Sequence, residues 1–240
     1  MNLNHIGGHV VNGHITYIFF DFGDTLAYST RSTEDIWASI FKELGVEAPT
    51  REDMWRAMKE VDASHGIHIY DYTGKAKEYW TIYDMLVFER LGLKDIAKKG
   101  ADLAYKRFRE NKISAYPDAK STLKKLKAQG YILGIISNYT DELTYDLRAI
   151  GLDAYFEHVI ISQLTGAAKP DPRIFKKAME KAGCDPKMSI HVGNSYEADV
   201  VGAQGIGITP ILVDRHGKYD SVKCHKVKAL AEIPSLISKL

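Results

Sequence analysis

The sequence predicts an α/β protein: a parallel sheet covered by helices on both faces and interrupted by an inserted helical bundle. Three observations lead there. From about residue 116 to the end, apolar runs of strand length alternate with amphipathic helical stretches, as parallel strands joined by crossover helices require. One more strand-like run, 15–20, stands alone near the start. Between the two, residues 27–114 carry helical stripes and no strand signal.

Taken in order, residues 1–14 read as a loose tail. Their His5, His9 and His14 lack the short spacing on one element that a stable metal site needs. The run 15–20 is β-branched and aromatic, and Gly23 follows it, so a buried strand runs into a loop. The helical stripes that come next are Ile36, Trp37, Ile40, Phe41 and Leu44; Met54, Trp55, Met58 and Val61; Trp80, Tyr83, Met85, Leu86 and Leu91; and Ile96, Ala101, Ala104 and Phe108. A bundle inserted straight after the first strand lies over the ligand-binding edge of the sheet. There it acts as a lid that closes on substrate and excludes water. Beyond it, Asp118 caps a helix with Ala119, Leu123 and Leu126 on its buried face and Gly130 as its stop, and 131–136 forms a strand. Thr140 caps the stripe Leu143, Leu147, Ile150, which Gly151 ends before a strand near 159–161. Asp171 and Pro172 then open a helix carrying Ile174, Phe175, Ala178 and Met179. Strands at 189–192 and 211–213 complete a sheet of at least five. The organisation expected is a tail over 1–14, a core over 15–26 and 115–240, and a helical cap over 27–114.

Composition narrows the function classes. Within 240 residues, 32 Lys and Arg nearly balance 31 Asp and Glu, so no broad surface for nucleic acid or anionic membrane is expected. A local cationic site for a small anionic substrate fits this balance. No apolar run reaches the ~18 residues of a spanning helix, and the start has no signal-peptide pattern; a cytoplasmic location is the expectation. Cys184 and Cys224 form neither a disulfide framework nor a paired metal motif and read as free thiols. The aromatic stripes could be covered internally or in a dimer, which leaves monomer and homodimer open.

The chemistry-bearing residues stand at the ends of the strands. Asp21 follows the first run and precedes Phe22-Gly23-Asp24-Thr25-Leu26; by itself it reads equally as a turn residue or as an active-site carboxylate. Ser137-Asn138, Lys169-Pro170 and Gly193-Asn194-Ser195, with Asp199 beyond, follow later strands. Singly, Ser137 is a turn residue, Lys169 a solvated charge and Asp199 a residue favoured by a helix dipole. A parallel sheet places all these carboxyl ends along one edge, so Asp21, Ser137, Lys169, Asn194 and Asp199 are expected to converge.

Asp21-x-x-x-Thr25, Ser137, Lys169-Pro170 and Gly193-x-x-x-x-x-Asp199-x-x-Gly202-Ala203 resemble, in order and spacing, the four motifs of haloacid dehalogenase superfamily hydrolases. The resemblance covers nearly the whole chain. It implies a Rossmann-like core with a helical cap, in which Asp21 attacks the substrate and is covalently modified. Thr25 and Ser137 would hold the transferring group, and Lys169 would neutralise charge and orient Asp21. Mg²⁺ would be held at Asp21, Gly23, Asn194 and Asp199. The chemistry agrees: a carboxylate approaching a phosphoryl dianion meets repulsion of about 4 kcal/mol per unit pair at ~4 Å for an effective dielectric near 20. A divalent cation and Lys169 cancel it. The Ser137 hydroxyl and the backbone amide of Asn138 suit the spread phosphoryl oxygens, as substrate-binding groups together with Lys169.

Two departures stand out. Phosphatases of this family carry a second Asp two residues after the nucleophile, and here that residue is Gly23; the adjacent Asp24 substitutes only if the loop bends to suit. The first Asp of the fourth motif is Asn194, whose amide oxygen ligates Mg²⁺ without charge and predicts weaker binding. The leading expectation is a Mg²⁺-dependent phosphatase acting on a small phosphorylated metabolite through an aspartyl-phosphate. A 2-haloacid hydrolase working through an aspartyl ester is the alternative, although Tyr196 stands where such relatives carry Asn, three before Asp199. A non-catalytic binder of a phosphorylated ligand is the third reading. Specificity would lie in the lid, where Arg31, His65, His68, Tyr70, Tyr72, Lys75 and Lys77 are polar or aromatic candidates that read first as surface. The pair His65-x-x-His68 has no third ligand beside it and reads as loop.

Overall fold

The computed structural model describes residues 15–64 and 75–240. Strand β1, Tyr17–Phe20, lies in the middle of the main sheet. Its run alternates two ways into apolar surroundings: Ile18 and Phe20 join one buried cluster with Leu133, Ile135 and Ile190, and Phe19 joins another with Ile136, Ile160 and Phe175. A strand buried on both faces has no polar alternate positions, which is why the run reads as continuously apolar.

After β1 the chain makes a short strand β2, Ala27–Ser29, and then the helices α1, Thr33–Leu44; α2, Arg51–Ser64; α3, Ala76–Arg90; and α4, Ala97–Glu110. These form the cap. Ile36, Trp37, Ile40, Phe41, Val87 and Phe88 are part of a core of its own. Ser32 caps α1 by accepting the Asp35 N–H at 3.0 Å, and Gly45 ends it in the left-handed region at φ 73°. Strand β3, Ile113–Ala115, returns antiparallel to β2, with Ala27 opposite Ala115. These two strands tie the base of the cap to the core.

The rest of the core follows as α5, Ala119–Ala128; β4, Ile132–Ser137; α6, Leu143–Ala149; β5, His158–Ile161; α7, Ser162–Thr165; and α8, Pro172–Ala182. Then come β6, Ser189–Gly193; a π-helical turn, Tyr196–Val201; α9, Gly202–Gln204; β7, Thr209–Val213; β8, His225–Val227; and α10, Ile233–Ile237. The six main strands run parallel in the order β5-β4-β1-β6-β7-β8. Chain order reverses at β1, so the crevice at the switch point opens beside the residue that follows it, Asp21.

Several local expectations are corrected. Residues 27–114 are not free of strands: β2 and β3 hold three residues each, too few to show a period. Strand β8 was missed because two of its three residues, His225 and Lys226, are exposed. Ser137 is the last residue of β4 rather than the first beyond it. Asp118 stands at the N-cap position of α5, as expected, but its side chain makes no capping hydrogen bond; the carboxylate instead accepts from Arg215 at 3.1 and 3.3 Å and from the Leu230 N–H at 2.7 Å. Helix α6 starts at Leu143 after Glu142, and Thr140 supplies a carbonyl to the Leu143 N–H, not a side-chain cap. Trp55, placed in a buried stripe, is 53% exposed, and Ala57 is buried on that helix. His5, His9, His14, His65, His68, Tyr70 and Tyr72 lie outside the described residues.

Candidate active site

The strand ends do bring the predicted groups together. Asp21, Ser137, Lys169 and Asp199 are all buried side by side at the edge of the sheet. Asp21 is anchored by its own N–H, which donates to the Val192 carbonyl of β6 at 2.8 Å. The loop turns back at once, because the Leu26 and Ala27 N–H groups both donate to the Phe22 carbonyl. Asp24 takes the left-handed conformation in that turn, at φ 55°, which Asp tolerates better than most residues.

The Lys169 ammonium donates to Asp21 Oδ1 at 2.7 Å and to Asp199 Oδ1 at 2.6 Å, bridging two carboxylates. Ser137 Oγ donates to the same Asp21 oxygen at 3.0 Å. On the other side, the Thr25 hydroxyl lies 3.4 Å from Asp21 Oδ2 and 3.2 Å from Asn194 Oδ1 and is shared between them. Lys169 is positioned by a double clamp: its N–H donates to Asn138 Oδ1 at 2.7 Å, and Asn138 Nδ2 donates to its carbonyl at 2.9 Å. The Asn138 side chain therefore aligns the lysine segment, a role separate from the one expected of its backbone amide.

One member of the network escaped the sequence reading. His191, wholly buried in β6, places Nε2 3.0 Å from Asp199 Oδ1, and Phe175 packs edge-on against its ring. A histidine inside an otherwise apolar strand just before a motif was the available signal. Asp199, expected among metal ligands, has both oxygens occupied, by Lys169 and His191 on one side and by the Ser195 N–H at 2.9 Å on the other. Its contact with β6 is so close that a Cβ on Gly193 would lie 2.1 Å from the Asp199 carboxyl carbon. Only glycine fits there.

Electrostatically the network holds two carboxylates and one ammonium in a water-poor space. Burial pushes the Asp21 carboxyl up from its ordinary value; the Lys169 ammonium pulls it back, and the Asp199 charge adds to the rise. Burial acts upward on Asp199 too, but Lys169 and His191 outweigh it and hold that carboxyl well below its ordinary range. Burial alone would lower Lys169, yet the two carboxylates raise it, so it stays charged. Burial lowers His191, which is therefore neutral. A site with one net negative charge is poised for a further cation.

A profile of the haloacid dehalogenase-like hydrolases matches residues 18–213, from β1 through β7. The chain belongs to this family. Among relatives of this haloacid dehalogenase-like hydrolase, a protein named glyceraldehyde 3-phosphate phosphatase from Methanothermobacter thermautotrophicus is 29% identical over 82% of this chain and 84% of its own length. The (S)-2-haloacid dehalogenase 4A of Burkholderia cepacia is 31% identical over 85% of this chain and 90% of its own. The fold is shared with a solved 2-haloacid dehalogenase from Pseudomonas syringae, at a TM-score of 0.68 and 23% identity over 94% of this chain and 99% of that one.

Members of the family that hydrolyse phosphate esters generally use Mg²⁺, and the donor set here fits a hard cation: the Asp21 carboxylate and the Asn194 amide oxygen meet at the Thr25 hydroxyl. Gly23, exposed in the same loop, offers only a backbone carbonyl. Among the described residues no group of three or more His, Cys, Asp or Glu forms a metal cluster. None of the described helices is long and apolar enough to cross a membrane. Cys184 and Cys224 are both unpaired thiols.

The cap and core enclose a cavity of about 330 Å³. Trp37, Trp80, Tyr83 and Tyr105 line it from the cap, and Tyr139 and Thr140 from the segment that follows Ser137. Tyr139 also packs edge-on against Phe22, next to Asp21, at 5.4 Å between ring centres. Of the lid candidates among the described residues, Arg31 and Lys75 are exposed and Lys77 lies 5.9 Å over the ring of Tyr105; none of these three lines the cavity. Asp84 does, and it is 5% exposed. Burial pushes its carboxyl from 3.8 up to about 8. The folded protein therefore keeps a proton that the unfolded chain releases above pH ~4, and stability falls as pH rises toward 8. Asp84→Asn is expected to gain on the wild type across that window by up to about 1.4 kcal/mol per pH unit. Urea unfolding of both proteins at pH 5, 6.5 and 8 measures it, and equal differences at all three would refute it.

Proposed function

We infer that this haloacid dehalogenase-like hydrolase is a Mg²⁺-dependent phosphatase that transfers the phosphoryl group of a small phosphorylated metabolite to Asp21 and then to water. The observation that carries the reading is the Thr25 hydroxyl shared between Asp21 Oδ2 and Asn194 Oδ1, because it gathers two hard oxygen donors where attack on carbon would need none. The bound cation would be held by Asp21 and Asn194 with the Gly23 carbonyl, and it supplies positive charge to a dianionic substrate. An Asp21 oxygen bonds to phosphorus as the ester oxygen departs with its electron pair and takes up a proton. Water then attacks phosphorus of the aspartyl-phosphate, loses a proton, and releases inorganic phosphate with the carboxylate restored. Lys169, clamped by Asn138 and held by Asp199, keeps Asp21 oriented and offsets charge through both steps. Asp24, exposed in the same loop and lining one pocket with Asn194, is the candidate carboxyl for proton transfer; Asp214, in that pocket too, is buried and accepts from the Lys218 and Tyr219 N–H groups. With Gly23 at the usual acid-base position, turnover is slow. The name of the archaeal relative, a glyceraldehyde 3-phosphate phosphatase, supports a small phosphorylated substrate.

A second reading is favoured by one observation: Asp21, Ser137, Lys169 and Asp199 form a network that needs no metal, and Gly23 brings no second acid. In it Asp21 displaces halide from carbon, as the name of the Burkholderia relative suggests. One assay pair separates the two. Phosphate release from p-nitrophenyl phosphate that requires Mg²⁺ and stops in chelator is the expected result. Halide release from 2-chloropropionate in chelator, without phosphatase activity, reverses the assignment.

A further inference from the structure

The cavity between cap and core holds polar groups that the mechanism above does not use. Its charged lining among the described residues consists of Asp84, Arg109 and Glu142. Arg109 on α4 and Glu142 at the start of α6 neutralise each other through an ion pair of 2.6 Å that joins cap to core. Asp84 is left over. No hydrogen bond or ion pair to its carboxyl is found among the described residues, although it is 95% buried in the middle of α3. Trp37 is among the lining residues, and its indole N–H is buried without a hydrogen-bond partner among the described residues. Buried polar groups are normally satisfied, and leaving one unpaired costs about 1–3 kcal/mol, so the unpartnered Asp84 carboxyl marks the cavity as a place for a ligand rather than a packing gap.

The surroundings define the ligand's chemistry. Trp37, Trp80, Tyr83 and Tyr105 present aromatic walls, and an ammonium is attracted both to such ring faces and to a carboxylate. A carboxylate-bearing or second phosphorylated end is disfavoured, since the one cation among the described lining residues, Arg109, is already paired. The cavity is also continuous in sequence with the catalytic edge, through Tyr139 and Thr140 two and three residues after Ser137. Its volume lies at the lower end of the range typical of small-molecule sites.

We propose that this cavity receives the non-phosphorylated end of the substrate, that Asp84 binds a protonated amine there, and that the natural substrates are phosphate monoesters of amino alcohols. The inference rests on the phosphatase reading for the phosphorylated end, while the amine site stands on the cavity alone. Burial keeps the empty carboxyl protonated near neutral pH, and the arriving ammonium favours its ionised form. Asp84 is a specificity residue in this scheme and touches no reacting atom.

The test compares ω-aminoalkyl phosphates of two to six carbons with n-alkyl phosphates in which methyl replaces the ammonium. Wild type is expected to favour the amine by at least about tenfold in kcat/KM at the best chain length, with that ratio falling to near one in Asp84→Asn. Equal rates for both series in the wild type overturn the amine site and leave the phosphatase reading standing. Should no ester release phosphate, the phosphatase reading fails, and binding decides the cavity. Saturable quenching of tryptophan fluorescence by n-butylammonium, absent with 1-butanol and absent in Asp84→Asn, supports the site; identical responses to both ligands refute it.

Discussion

Asp21→Asn is expected to lower phosphate release from p-nitrophenyl phosphate by on the order of 10⁴-fold or more while leaving the protein at least as stable at neutral pH. The activity falls because an amide is a poor nucleophile and forms no stable phosphorylated intermediate. Stability does not fall, for a reason specific to this network. Burial raises the Asp21 carboxyl, so its ionised form is one the fold tolerates at a cost, and that contribution worsens as pH rises from its unfolded value. Asparagine removes the charge and leaves Lys169 paired with Asp199 at 2.6 Å. The buried site then goes from one net negative charge to none, whereas removing Asp199 would strip Lys169 of its closer partner. Steady-state kinetics and a thermal melt at pH 7 check both halves. Residual turnover above a few per cent rules out Asp21 as nucleophile; a large drop in melting temperature means that the carboxylate is needed for folding rather than chemistry.

The second large effect runs the other way. Gly23→Asp is expected to raise the phosphatase kcat on alkyl phosphates by about 10²-fold, at the low end of what a positioned acid-base group contributes. The structure leaves room for it: a Cβ at Gly23 meets no atom within 4 Å, and Gly23 is not among the glycines held at positive φ. Loss of glycine's freedom in the unfolded chain adds slightly to stability. Alkyl leaving groups need protonation far more than p-nitrophenolate does, so the gain on alkyl esters should exceed that on the aryl ester. If neither substrate gains, the missing acid is not what limits this enzyme. If 2-chloropropionate turnover is present and falls, the added carboxylate is repelling a carboxylate substrate, and the halide reading takes over.

The main sheet was readable because its central strands are buried on two faces and therefore largely apolar, as Ile18 to Phe20 and Ile211 to Val213 show. The four cap helices were equally visible through stripes such as Ile36, Trp37, Ile40 and Phe41, which pack into one core. Short strands were not, since Ala27–Ser29 and Ile113–Ala115 become strands only by pairing with each other across the whole cap. Asp118 shows the same limit: local sequence marks it as a helix cap, and a distant Arg215 and Leu230 N–H claim its oxygens instead.

At the site the division is similar. The residue types at the ends of β1, β4 and β6, and in the loop before α8, were set out along the chain, because a parallel sheet necessarily brings its carboxyl ends to one edge. Sequence by itself thus pointed to the family, to Asp21 as the candidate nucleophile, and to Gly23 at the position where a second acid is expected. Tertiary structure alone decided that Lys169 bridges Asp21 and Asp199, that His191 and the Ser195 N–H occupy Asp199, and that Asp84 lies unpaired in an aromatic cavity. The physical reason is that a motif records residue type and spacing, whereas charge state, burial and hydrogen-bond partners depend on contacts between residues far apart in the chain, such as the 148 positions that separate Asp21 from Lys169.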